Sequence, residues 1–172
     1  MTVGLSYYGT LAEANTYFDN RLHEYAWYEA SVSDRPKALL AATRIIDQLN
    51  YKGNKAPVHT LLCADPEATQ AEIRAAEITQ ELEFPRGDDT DVPDQIKYAC
   101  FEIAHSLLDG KDPEMELENL MISSQGFSSV RTTFSRGQVP IEHLINFVPN
   151  PLAWRWLKPF LRDDDALKIS RV

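Results

Sequence analysis

The residues with types that could do chemistry are few, and their spacing argues against catalysis. Glu102-x-x-His105 places a carboxylate and an imidazole on one helical face. Di-metal bundles use such pairs, but they need a second copy and further glutamates on facing helices. His23, His59 and His143 supply no second E-x-x-H, so the pair reads as structural. Asp163-Asp164-Asp165 has the oxygens for a hard cation but lacks the alternating ligands, glycine and distal glutamate of a calcium loop. It reads as a solvated acidic run. Ser123, Ser124, Ser128 and Ser129 have no histidine near them in sequence, and no G-x-S-x-G, P-loop or G-x-G-x-x-G is present. Cys63 and Cys100 are isolated, which suits small buried hydrophobes in a reduced, cytosolic setting. The expectation is a protein that is not an enzyme, with no catalytic residue, cofactor or metal site.

The stretch Leu82 to Ala104, LEFPRGDDTDVPDQIKYACFEIA, raises a different question. Pro85 pushes Phe84 out of the helical region, and Pro93 can start the next helix. Phe84, Pro85, Arg86 and Pro93 are expected to form a rigid elbow between two helices. In that reading Phe84 plugs the corner. Arg86 pairs with Asp88, Asp89 or Asp91, or caps helix carbonyls.

The elements that must position these residues read as mainly α. Thr10-Leu11-Ala12-Glu13 has the pattern of a capping box and opens a helix over 11–22, with Leu11, Ala14, Tyr17, Phe18 and Leu22 on one face. Tyr25, Trp27 and Tyr28 read as a core-closing plug rather than a ligand box. Ser33 is expected to cap a central helix running to about Asn50, striped by Leu39, Ala42, Ile46 and Leu49. Asp65-Pro66-Glu67 is a start signal for a helix bearing Ala68, Ala71, Ala75, Ile78 and Leu82, which should run to the elbow. Ile96, Cys100, Ile103 and Leu107 stripe the helix beyond it. Asp112-Pro113-Glu114 begins a short helix to about Leu120. Residues 121–135 are rich in Ser, Thr and β-branched side chains and predict a hairpin with its turn near Gln125-Gly126. Asn150-Pro151 starts a last helix. The expected fold is a bundle of about four to five helices (1–120), a β-hairpin (121–138) and an extended C-terminal arm with a short helix (139–172).

The chain has 172 residues, 44% of them hydrophobic and 25% charged, enough for one domain with a real core. Seventeen basic against 26 acidic residues give a net charge of −9. That balance disfavours a protein built mainly to grip phosphates, because such binding draws on clustered Lys and Arg. No apolar run approaches a membrane span, so no membrane partner is expected. The opening MTVGLSYYGT has neither a basic n-region nor an apolar h-region, so no secretory signal is expected.

A series of short motifs carries a resemblance. Tyr8 to Arg21 reads Y-x-x-x-x-E-A-x-x-Y-F-x-x-R, with Glu13, Ala14, Tyr17 and Phe18. Trp27 and K-A-L-L-A-A-T-R-I-I-D follow, then L-x-F-P-R, V-P-x-x-I-K-x-A-x-x-E-I-A and the Ser/Thr-rich hairpin. The order resembles tailed-phage proteins labelled DnaT-like single-stranded DNA-binding, and head–tail connector (adaptor) proteins that dock beneath the portal. The likeness covers most of 7–135. The chain departs from it in Val58–Glu83, which adds a full amphipathic helix. The resemblance implies a structural connector in the virion neck, made in the host bacterial cytoplasm. Identical subunits, commonly twelve, would form a ring between the portal protein and a downstream tail protein, with double-stranded DNA passing through. The residues expected to meet partners are Phe127, Val130, Arg131, Thr133 and Phe134 in the hairpin, and Trp154, Trp156 and Phe160 in the arm. The two tryptophans fit core packing as well as an interface. The other function is single-stranded DNA binding, with Tyr7, Tyr8, Tyr25, Trp27 and Tyr28 as stacking rings and Arg21, Arg35, Lys37 and Arg44 as cations.

Overall fold

The computed structural model describes residues 6–121, 124–127, 130–133 and 142–162. Helix α1 (Leu11–Asp19) starts where Thr10 Oγ1 accepts the Glu13 N–H at 3.1 Å. It buries Ala14 and Phe18 and ends at Asn20, so Leu22 lies beyond it and 83% exposed. The short α2 (Tyr25–Glu29) delivers Trp27 to the core, where it stacks on Phe18 at 4.6 Å and donates Nε1–H to Asn15 Oδ1. The plug is therefore Trp27; Tyr25 and Tyr28 face solvent.

Helix α3 (Asp34–Asp47) buries Ala38, Leu39, Ala42, Thr43 and Ile46, the stripe its periodicity predicts. Its first N–H is capped by Ser31 Oγ, not by Ser33. Across from it lies α6 (Asp94–Leu108), entered through Pro93 and buried continuously from Ala99 to Ser106. A helix buried on every side over two turns is a central one. Helices α1, α2 and α3 all pack on α6.

The segment between α3 and α6 differs from expectation. Helix α4 (Ala56–Ala64), with Pro57 in its first turn, precedes the Asp65-Pro66-Glu67 start signal. Asp65 closes α4 instead of opening the next helix. Thr69 opens α5 (Gln70–Glu77), forming a complete capping box with Glu72. Helix α5 buries no residue, ends at Glu77 and leaves Ile78 83% exposed. The alanine seam offers too little apolar area to hold the helix on the bundle, so its backbone leaves the helical path well before Pro85.

The elbow itself is a joint. Phe84 is 2% exposed, edge-on to Tyr51 at 4.7 Å and to Phe160 at 5.6 Å, and its N–H donates to Tyr8 Oη at 3.2 Å. The Phe84–Pro85 peptide is cis. Arg86 does not pair with Asp88, Asp89 or Asp91. It donates to the Lys52 and Gly53 carbonyls and pairs with Glu83, while Asp88 faces His59 at 3.0 Å. Arg86 is itself bridged to Lys55, next to the Lys52 and Gly53 carbonyls that its side chain meets.

Helix α7 (Pro113–Met121) precedes an antiparallel pair, β1 (Ser124–Phe127) and β2 (Val130–Thr133). Gln125 and Gly126 sit within β1 opposite Thr132 and Arg131, so they are paired strand residues and not the turn expected there. After α8 (Glu142–Ile145), Asn150 caps α9 (Pro151–Leu157) through the Leu152 N–H at 2.8 Å. Helix α9 packs on α6, and Arg162 N–H donates to the Asn50 carbonyl. Residues 148–162 thus share the core of 8–108, and the fold is mainly α as the pattern reading expected.

Candidate functional site

A charged glutamate at the centre of the bundle organises the site. Glu102 interrupts the apolar run Ala99–Ala104 and is fully buried. Such a carboxylate must be paired and hydrogen-bonded to be tolerated. Arg21 Nε donates to its Oε1 at 2.7 Å and Nη2 to its Oε2 at 2.9 Å, a two-point fork. Tyr17 Oη donates to Oε1 at 2.7 Å, and Asn150 Nδ2 donates to Oε2 at 3.0 Å. One carboxylate therefore fixes side chains from α1 and its exit loop and from the cap of α9. Burial, with Glu102 beside it, pushes the Tyr17 hydroxyl well above the ordinary phenol range.

Arg21 is held upright as a wall with a concavity on each side. One is a cleft of about 650 Å³ between α1 and α6, floored by Phe101 and by Tyr17 stacked on Tyr98 at 5.2 Å. Trp156 meets the edge of Tyr98 at 5.8 Å. Lys97 stands at the rim with Glu13 at 2.9 Å and Asp94 at 3.7 Å. The hydrogen bond from Lys97 holds the Glu13 carboxyl below its usual range, and Glu13 raises Lys97 in turn. The other is a hollow of about 290 Å³, bounded by Tyr25, His105 and Lys111. Beyond it Arg35 lies over the exposed Tyr28 ring at 5.5 Å.

The sequence-read residues separate on the structure. Trp154 is buried, with Nε1–H donating to Glu142 at 3.3 Å; Trp156 and Phe160 are half-buried against the core. Phe127, Val130, Arg131 and Thr133 lie on the two strands, and Phe134, Ser123, Ser128, Ser129 and Asp163–Asp165 lie outside the described residues. Of the stacking set, Tyr8 and Trp27 are core residues, whereas Tyr25 and Tyr28 are exposed. Cys63 is exposed, not buried; Cys100 is buried and its thiol pushed up to about 12 by that burial. The sequence pattern pairs Glu102 only with His105, whereas its partners in the fold are Arg21, Tyr17 and Asn150. A charge inside an otherwise apolar helical run is the signal that points to it. Among the described residues no group of three His, Cys, Asp or Glu side chains could hold a metal ion, and no helix is long and apolar enough to cross a membrane.

The motifs Tyr8–Arg21 and Val92–Ala104 are the ones that meet in this site. Residues 4–154 match the family described as "Putative DnaT-like ssDNA binding protein". The match spans most of the chain, and the chain belongs to that family. No curated protein and no solved structure matches it.

Proposed function

We propose that the chain binds single-stranded DNA along a track from the α1/α6 cleft, past Arg21, to Tyr25. The observation that carries this reading is Arg21 as the shared wall of two concavities, each lined by a tyrosine and a lysine: the half-buried Tyr98 with Lys97, and the exposed Tyr25 with Lys111. Bases stack on tyrosine without regard to sequence, and alternating cations serve the phosphates. Family membership supports the same reading. Each lysine also faces a carboxylate, Glu13 and Asp94 on one side and Asp109 at 4.0 Å on the other. Binding therefore has to break ion pairs, which makes it weak and sensitive to salt. The test is an oligothymidylate titration at low salt by fluorescence anisotropy. Glu13→Gln with Asp94→Asn should tighten binding several-fold, and Tyr98→Ala should weaken it by about tenfold. Absence of binding at low salt sinks the proposal.

The charge balance favours a second reading. A net charge of −9 with the track's lysines held by acids suits a wall that DNA slides past. In that reading the chain is a head–tail connector of a tailed phage, ringed beneath the portal. Co-sedimentation with the portal assembly, followed by particle imaging, tests it. A symmetric added ring supports the connector; a well-folded protein that does not associate removes it.

A further inference from the structure

The hollow beyond Arg21 has features that a passing strand does not need. His23 lies in the left-handed region at φ 62°, where a non-glycine residue is strained. That conformation turns its carbonyl onto Arg21 Nη1 at 2.8 Å and brings its side chain to the lip. Gly110, at φ 78°, reverses the chain after α6, and Lys111 N–H then donates to the Ser106 carbonyl at 3.0 Å. The turn sets Lys111 against the same hollow. Tyr25, 67% exposed, stands at the opening with nothing from the described chain covering it. His105, only 8% exposed, lines the hollow, and its Nε2 is buried with no hydrogen-bond partner. Buried nitrogens of that kind are rare and point to a missing group.

A cavity of about 290 Å³ is at the small end of the range for ligand sites. It has room for one nucleotide, not for a length of strand. Its polar lining offers Lys111 and the one Arg21 N–H left over from Glu102 and the Leu22 and His23 carbonyls, a flat ring for a base in Tyr25, and one carboxylate, Asp109, already facing Lys111.

We infer that this hollow binds a single nucleoside monophosphate unit, with its base on Tyr25 and its phosphomonoester between Arg21 and Lys111. The unit comes either from a free nucleotide or from the phosphorylated end of a strand. The second source rests on the single-stranded DNA reading, in which the hollow is the end-stop of the track. A terminal phosphate carries more charge than an internal one and makes more charge-assisted hydrogen bonds.

The full-length chain is titrated with dTMP, thymidine, and an oligothymidylate with and without a 5′-phosphate, with histidine and tyrosine resonances followed by NMR. Expected is a preference for the 5′-phosphorylated strand of about tenfold, the size of one or two charge-assisted hydrogen bonds. Lys111→Glu and Tyr25→Ser, both surface changes, should abolish that preference. Phosphate binding should also move the His105 resonances and raise its titration midpoint. Equal binding of the two strands overturns the end-stop and leaves the track intact. Binding of dTMP without either strand removes the track and leaves the nucleotide site standing. Failure of both dTMP and the phosphorylated strand, or an effect that survives Lys111→Glu and Tyr25→Ser, overturns the inference.

Discussion

At the residue scale the fold depends on a few side chains that no neighbour can replace. Glu102 is one. Exchanging its carboxylate for an amide leaves Arg21, whose side chain is 23% exposed, without its counter-charge in a low-dielectric setting. Breaking a buried pair by removing one partner costs about 3–5 kcal/mol. Glu102→Gln should therefore lower the denaturation midpoint sharply while retaining the side-chain volume. An unchanged melting curve would contradict the hub assignment. Phe84 is a second case. Its ring is enclosed by Tyr8, Tyr51 and Phe160, and Phe84→Ala should cost about 3–5 kcal/mol through lost transfer energy and the remaining cavity. Chemical denaturation of the purified variant checks this. Gly9 is constrained for another reason: at φ 80° a Cβ there would meet Phe101 Cζ at 2.8 Å.

At the element scale α5 and α6 stand at opposite extremes. Helix α6 is held by contacts on all sides; α5 is held by its own capping box and by α4. Local opening follows contact density, so α6 amides should exchange slowest and α5 amides early. Thr69→Ala removes a cap of about 1 kcal/mol. Because α5 is outside the core, that change should speed exchange in 70–77 while leaving the global midpoint nearly fixed. Hydrogen exchange read by mass spectrometry or NMR separates the two. A shift of the whole unfolding transition would show that α5 is coupled to the bundle more tightly than its packing indicates. The start and length of α5 differ from the pattern because its Ala-rich stripe has the right period but too little area, and period alone says nothing about what lies opposite.

At the scale of the whole molecule the acid response follows from three sets of groups. Burial, and then Arg21, lowers the pKa of His105 from its ordinary 6.5, and burial lowers that of His143. The unfolded chain therefore takes up protons at pH values where the fold refuses them. Stability should fall as pH drops below about 6.5. Glu13 and Glu142 are held below 4.5, chiefly by Lys97 and Lys158, so their contribution is present above that value and lost on further acidification. Asp47 runs the other way: burial raises it, and its contribution is lost as pH rises through its folded value. Two histidines and two glutamates outweigh one aspartate, so a thermal melt series should show a decline from pH 7 toward pH 4. A rise over that interval would reverse the assignment.

The Thr10 and Asn150 caps, the stripes of α3 and α6, the entry of α6 through Pro93 and the mainly α class were legible in the sequence, because capping and periodicity are local properties of the chain. The buried aromatic at the elbow was legible for the same reason. Burial of Trp154, exposure of Tyr25 and the partners of Arg86 were not, because each depends on which residues distant in sequence arrive nearby. The site is the clearest example. Arg21 and Glu102 are 81 positions apart, and only the packing of α1 against α6 brings them to 2.7 Å. The sequence by itself determined the helical class and the positions of α1, α3, α6 and α9, because their caps and stripes are local. The tertiary structure alone decided which helices meet, and so which tyrosines and cations remain to meet a ligand.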